Sequence, residues 1–182
     1  MASYKIAVSG AARVDHCCTG KEKLSEKVGR EIAKNKCITV TGATTGAPYY
    51  AAKGAKKEKG ISIGFSPAST EREHKNSYRL PTDAFDMIVY TGFEYAGRNL
   101  LMTRAADALI VICGRMGTLN EFTIAFEDQK PIGVLIGSGG TADNIQQVIQ
   151  KPYRGKVEMV YERDPKVLVE KLIKLIKKDK KK

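Results

Sequence analysis

The chain lacks any apolar run near the roughly 18 residues that a membrane-crossing helix requires. Its first ten residues, MASYKIAVSG, lack the basic region and apolar core of a secretion signal and lead straight into a strand pattern. A cytoplasmic protein with no membrane partner is the expectation. Metal-ligand spacing is missing too. The four cysteines, Cys17, Cys18, Cys37 and Cys113, form no CxxC pair, and His16 and His74 are not placed to complete a site. His16, Cys17 and Cys18 are consecutive, and adjacent side chains rarely converge on one ion, so they read as loop. Reduced thiols are expected in a cytosolic chain. Several nucleotide and hydrolase fingerprints are also absent. No GxxxxGK[ST] occurs, which argues against a P-loop ATPase, and no GxGxxG follows the first strand, which argues against an ordinary NAD dehydrogenase. Neither GxSxG nor the protein-kinase motif set is found.

What is there fits one domain. The 182 residues suffice for a sizeable core, and 42% hydrophobic with 28% charged residues is the balance of a soluble globular chain. The net charge of +11 is uneven: residues 174–182 hold six lysines and one aspartate, contributing +5 and leaving +6 to the rest. We expect a domain over residues 1–173 and a solvated basic tail over 174–182. That tail has no aromatics interleaved for base stacking, so nucleic acid is not an expected partner.

Strand-length apolar runs alternate with stretches of helical period. Strands are expected at residues 5–9, 38–41, 61–65, 87–90, 108–113 and 132–136, with an edge strand at 157–161. Helices are expected at 21–34, 48–59, 97–106, 118–128 and 141–150, and from Asp164-Pro165 onward. Leu24, Val28, Ile32 and Ala33 mark the apolar face of the first helix; Val167, Leu168, Leu172 and Ile176 mark that of the last. Thr19 with Glu22, and Thr118 with Glu121, have the spacing of capping boxes. Residues 108–113 are apolar throughout, as a central parallel strand covered on both faces should be. Residues 66–85 are polar, without a clear period, and read as a functional loop. The alternation specifies an α/β fold: a Rossmann-like, doubly wound parallel sheet in a single domain.

In such sheets ligands bind beyond the carboxyl ends of the strands. Small residues and hydroxyls gather there: Ser9 and Gly10, then Gly42, Thr44, Thr45 and Gly46, then Gly92, then Gly114 to Thr118, then the run GSGG at 137–140. Glycines let a ligand approach backbone N–H groups, and hydroxyls donate hydrogen bonds, so a phosphate-bearing ligand is expected. The most informative stretch runs from Gly97 to Glu121. It reads as a helix carrying Arg98, a buried strand, a glycine turn and a new helix with Glu121 one turn in, the parts from which phosphate sites are built. Two roles stay open for Glu121, helix capping or ligand chemistry. Arg98 is either a solvated helix residue or part of the site, and Cys113 reads as a small residue at a strand tip.

Arg98-Asn99, Met102, Ala106-Asp107-Ala108 and the run from Cys113 to Glu121, CGRMGTLNE, together resemble the LOG ("Lonely guy") superfamily, whose signature is an Arg-Lys helix, an ADA-containing strand and PGGxGTxxE. The resemblance covers roughly residues 5–137, including KIAVSG, VGREIAKNKCITVTGATTG and AAKGAKKEKGISIGFSP. It implies a homodimer and hydrolysis of a nucleoside 5′-monophosphate to free base and ribose 5-phosphate, with no cofactor required. Arg98 and Glu121 would be catalytic. Gly114, Arg115, Met116, Gly117 and Thr118 would hold the phosphate, beside the strand-end residues already named. The chain departs from the pattern at Asn99, at Cys113-Gly114-Arg115 in place of Pro-Gly-Gly, and at Gly42-Ala43-Thr44-Thr45-Gly46. Arg-Asn looks more like the DprA-related branch that includes molybdenum-cofactor carriers. That likeness implies the alternative of a non-catalytic nucleotide or molybdenum-cofactor carrier.

Overall fold

Among the described residues the apolar runs become seven strands in one all-parallel sheet. In this computed structural model those residues are 4–13, 15, 17–149 and 157–180. The elements follow as β1 (Lys5–Gly10), α1 (Lys21–Lys34), β2 (Ile38–Thr41), α2 (Ala47–Lys57), β3 (Ser62–Ser66), α3 (Glu71–Asn76) and β4 (Met87–Tyr90). Then come α4 (Glu94–Ala105), β5 (Ala108–Ile112), α5 (Met116–Glu127), β6 (Ile132–Leu135), α6 (Gly140–Val148), β7 (Met159–Glu162) and α7 (Pro165–Asp179). The strand order is β4-β3-β2-β1-β5-β6-β7. The chain winds outward from β1 to β4, and α4 then carries it back to β5, which pairs with β1 from Ile6↔Ala108 to Gly10↔Ile112. The reversal between β1 and β5 is the topological switch point, where doubly wound sheets open a crevice at the strands' carboxyl ends.

Alternate side chains of the central strands enter opposite faces. Ile6, Val8, Ile110 and Ile112 pack with Val28 and Ile32 of α1 and Leu168 and Leu172 of α7. Ala7, Leu109 and Val111 pack with Met102 of α4, Phe122 of α5 and Ile145 of α6. Each large apolar side chain buried in these two layers contributes about 1.5–3 kcal/mol.

Several expectations shift. Residues 66–85 are not structureless: α3 lies inside them, capped by Thr70, whose side chain accepts the Glu73 N–H at 3.1 Å. His74 is fully buried there, 2.8 Å from Ser66 Oγ and 3.0 Å from the Pro81 carbonyl, which ties the segment to β3. Thr19 does not cap α1; Gly20 does, in a left-handed conformation and with no side-chain bond. Val167 is exposed rather than core-facing, and Val169 and Ile173 take that face with Leu168, Leu172 and Ile176. The basic stretch begins inside α7, which continues to Asp179 with Ile176 buried; Lys178 pairs with Glu158 and Lys180 with Asp107. Asp164 caps α7 as its sequence indicated, accepting the Lys166 and Val167 N–H groups. Gln150, the expected end of α6, lies outside the described residues.

The expectation of reduced thiols fails for one pair. Cys17 and Cys113 form a disulfide, with Cα atoms 5.7 Å apart, while Cys18 and Cys37 are free. The connection after β1 returns to the sheet, where Cys17 bridges Gly139 and the Cys18 N–H donates to the Ser138 carbonyl at 3.1 Å. That return sets Cys17 against the end of β5, a proximity that compartment reasoning does not address. Of the sequential trio His16-Cys17-Cys18, His16 lies outside the described residues.

Candidate functional site

A cleft of about 270 Å³ opens at the switch point. β1 and the connection after it supply Val8, Gly10, Ala11, Ala12 and Arg13; β2 and α2 supply Gly42, Thr44 and Pro48. Tyr95, Arg98 and Asn99 come from α4, and Arg115, Gly117, Thr118 and Glu121 from the start of α5. As the crossover from the sheet's edge to its centre, α4 passes over these strand ends, and that path brings Arg98 to a cleft built by β1, β2 and α5.

Arg98 and Glu121 form a buried ion pair: Nη1 donates to Oε1 at 3.1 Å, with the side chains 5% and 9% exposed. The other carboxylate oxygen of Glu121 accepts the Ser9 hydroxyl. Burial lowers the Arg98 pKa, against the attraction of Glu121. Burial likewise raises that of Glu121, against Arg98 and Ser9. Desolvation thus opposes both charges while their mutual bond preserves them. Arg98 Nε is buried and has no hydrogen-bond partner. The Tyr95 ring lies 5.8 Å from the guanidinium carbon, a cation–π contact.

Gly42 exists for Arg98. A Cβ at this position would stand 2.0 Å from Nη1, so any larger residue would expel the guanidinium. Gly114 has φ 106°, and a Cβ there would meet Thr118 Oγ1 at 2.7 Å, so glycine is what lets the chain turn into α5. The helix then starts at Met116, two residues earlier than expected. Thr118 and Glu121 consequently lie inside it and form no capping box; the N-cap is Arg115, which makes no side-chain cap bond. With no acidic residue in its first turn, α5 presents the positive end of its dipole at the cleft. Three arginines against one glutamate among the lining residues favour an anion.

The structure brings together Gly10, Gly42, Thr44, Arg98, Arg115, Gly117, Thr118 and Glu121. It places the other candidates differently. Ser9 lies behind the cleft as the donor to Glu121. Thr45 Oγ1 donates to the Ala12 carbonyl at 3.1 Å, and Gly46 presses against the Ala11 carbonyl, so both shape the wall without lining it. Gly92 stands by Ser69 near β4, Gly114 behind Thr118, and Met116 projects outward, 76% exposed. Sequence reasoning missed Ala11, Ala12, Arg13 and Tyr95 as lining residues. Tyr95 sits three positions before Arg98, on the same helix face, but lies outside the helix that the sequence pattern starts at Gly97. Asn99, singled out as a departure, also lines the cleft and donates to Asn120 Oδ1 at 2.9 Å. Among the described residues no cluster of His, Cys, Asp and Glu is placed to hold a metal.

Known proteins are similar to this chain in sequence or in fold. An uncharacterized protein of Archaeoglobus fulgidus is 28% identical over 135 residues, covering 74% of this chain and 82% of its own. The molybdenum cofactor binding protein of Rippkaea orientalis superposes with a TM-score of 0.77 at 25% identity, covering 97% of this chain and 99% of its own. The molybdenum cofactor carrier protein of Chlamydomonas reinhardtii gives 0.75 at 22%, covering 96% and 98%. DNA processing protein A of Helicobacter pylori, described as binding single-stranded DNA, gives 0.65 at 20%, covering 94% and 80%; its likeness is one of fold. Residues 3–169 match the family model of the SLOG cluster4 family, and the chain belongs to that family, within the LOG-like superfamily.

Proposed function

We propose that the cleft binds a phosphorylated, nucleotide-type small molecule and cleaves the N-glycosidic bond of a nucleoside 5′-monophosphate. The observation that carries this reading is the buried Arg98–Glu121 pair, with Arg98 Nε unpartnered, lining the same cleft as the uncapped start of α5. The phosphate sits at Gly117 and Thr118, where α5 offers backbone N–H groups and Arg115 and Arg13 add charge. The ribose then reaches toward Glu121.

Cleavage builds positive charge on the ribose as the C–N bond breaks and its electron pair leaves with the base. The Glu121 carboxylate stabilises that charge and accepts a proton from the water that adds to the anomeric carbon. Ser9 fixes the carboxylate, Arg98 opposes the desolvation that disfavours its charge, and the proton that Glu121 takes from water passes to the nitrogen of the departing base. The products are free base and ribose 5-phosphate, so atoms balance with one water consumed. Chromatography of a nucleoside monophosphate panel tests this: base release is expected from wild type and is lost in Arg98→Ala and Glu121→Ala. No release from any member would falsify the enzymatic reading.

A second reading is a carrier of a phosphorylated cargo such as the molybdenum cofactor. It is favoured by the two cofactor-binding proteins of like fold and by the engagement of both Glu121 oxygens within the protein. Tight calorimetric binding without turnover is its expected signature. Either reading includes a homodimer, supported by Phe93, Leu100 and Leu101, which leave an exposed apolar face at α4; sedimentation reads it directly.

A further inference from the structure

Cys17 and Cys113 are joined across 96 positions of sequence, and each belongs to a different segment that contributes residues to the cleft. Cys113 follows β5 at φ 51°, a conformation that side-chain-bearing residues seldom adopt. It leads directly into Gly114 and the turn that places Arg115, Gly117 and Thr118. Its N–H donates to Ser138 Oγ at 2.7 Å, and its carbonyl accepts the Ala142 N–H at 2.8 Å. Cys17 belongs to the β1–α1 connection, whose earlier residues Ala11, Ala12 and Arg13 also line the cleft. That connection is fastened at Ala11 by the Ala47 N–H and at Cys18 by Ser138. The disulfide couples the segment carrying Arg13 to the turn that launches α5.

We propose that this disulfide is a redox control on the ligand cleft. Joined, it holds the two segments in register for the anionic ligand; reduced, it releases them and affinity falls, because binding must then order what the bond had ordered. The proposal rests on the reading of the cleft as an anion site. A small dithiol supplies the chemistry. Its thiolate attacks the sulfur of Cys17, the less buried partner, and Cys113 leaves as thiolate. The second thiol of the reductant closes the mixed disulfide into a cyclic one and frees Cys17. Two electrons and two protons pass to the protein, which ends with two thiols.

Peptide mapping of the full chain with differential alkylation reads the pair itself. A cross-linked 17–113 peptide is expected, and two alkylated thiols even after treatment with glutathione disulfide overturn the proposal. Calorimetry with adenosine 5′-monophosphate then reads the cleft in oxidised wild type, dithiothreitol-reduced wild type and Cys17→Ser. Binding roughly tenfold weaker in the latter two is expected, with reoxidation restoring only the wild type. Equal affinity in both states overturns the switch and leaves the site standing. No binding to the oxidised chain, with Arg98→Ala indistinguishable from it, overturns the anion-site reading instead. Hydrogen exchange separates the two failures. The switch requires faster exchange of the 114–118 amides on reduction, with α7 unchanged, and no change there overturns it whether or not the nucleotide binds.

Discussion

α5 and α7 each follow a parallel strand by a short turn, yet they treat their first amides in opposite ways. α7 is self-sufficient: Asp164 accepts the Lys166 and Val167 N–H groups, and Pro165 removes a donor that would have needed a partner. α5 has Arg115 at its N-cap with no side-chain cap bond, and no acid in its first turn. The first arrangement completes a helix; the second leaves a helix end suited to an outside anion. The same division separates the ion pairs. Lys27–Asp164, at the start of α7, is half-exposed on both sides, whereas Arg98–Glu121 is buried. Exposed pairs contribute little because water screens them, while a buried pair costs a great deal to break. The difference separates a region that completes its own hydrogen bonds from the region to which we assign the ligand.

The largest test of that comparison is Glu121→Ala, which strands the Arg98 charge in the protein. It should cost about 3–5 kcal/mol in urea denaturation, and Lys27→Ala at the α7 end should cost under about 1 kcal/mol. Similar losses at both ends would erase the contrast. Gly42→Ala comes next. Its methyl group would occupy the space of the Arg98 guanidinium, so a loss of about 1–3 kcal/mol is expected, together with weaker binding of adenosine 5′-monophosphate.

Exchanging the caps sharpens the comparison at smaller scale. Asp164→Ala should lower stability by about 1 kcal/mol and leave nucleotide affinity unchanged. Arg115→Asp gives α5 a side-chain cap of its own and replaces a cation at the cleft with an anion, so it should weaken phosphate binding. Unchanged affinity in Arg115→Asp would show that the start of α5 is not the anion site.

The smallest effect is the pH slope. The Glu121 pKa is raised by burial, so between the ordinary carboxylate value and the higher folded one the folded chain keeps a proton that the unfolded chain has lost. The resulting stabilisation is complete below the ordinary carboxylate value and disappears as pH rises through the higher folded value. Asp164 and Asp107 are shifted down, by Lys27 with the α7 amides and by the Lys5 N–H with Lys180. Their contributions are present above the ordinary value and disappear as pH falls through the lower folded ones. Glu121→Gln should therefore flatten the stability profile above the ordinary carboxylate pKa and leave the acid limb in place.

Much of the scaffold could be read from local pattern. α1, β2 and β4 fall at their expected residues, and the Asp164-Pro165 start of α7 was visible because a cap and its helix are neighbours in sequence. The capping-box spacing was less dependable. It suggests caps at Thr19 and Thr118, where Gly20 and Arg115 take the N-cap positions instead. It also fits Thr70 and Glu73, where the cap forms, but the absence of an apolar period over 66–85 concealed that helix. Within the site, Arg98 and Glu121 are legible as a spaced pair, whereas the strand-end position of Ser9 suggests a ligand contact although its hydroxyl donates to Glu121.

The sequence by itself determined the alternation of strands and helices, the glycine-rich strand ends and the arginine and glutamate set 23 positions apart. These are properties of hydrophobic period, turn chemistry and spacing. The tertiary structure alone decided that α4 crosses the sheet to lay Arg98 against Gly42, that Arg13 and Tyr95 share its cleft, and that Cys17 reaches Cys113. Those contacts join residues distant along the chain, and their geometry follows from how the helices pack on a twisted sheet, which no local pattern encodes.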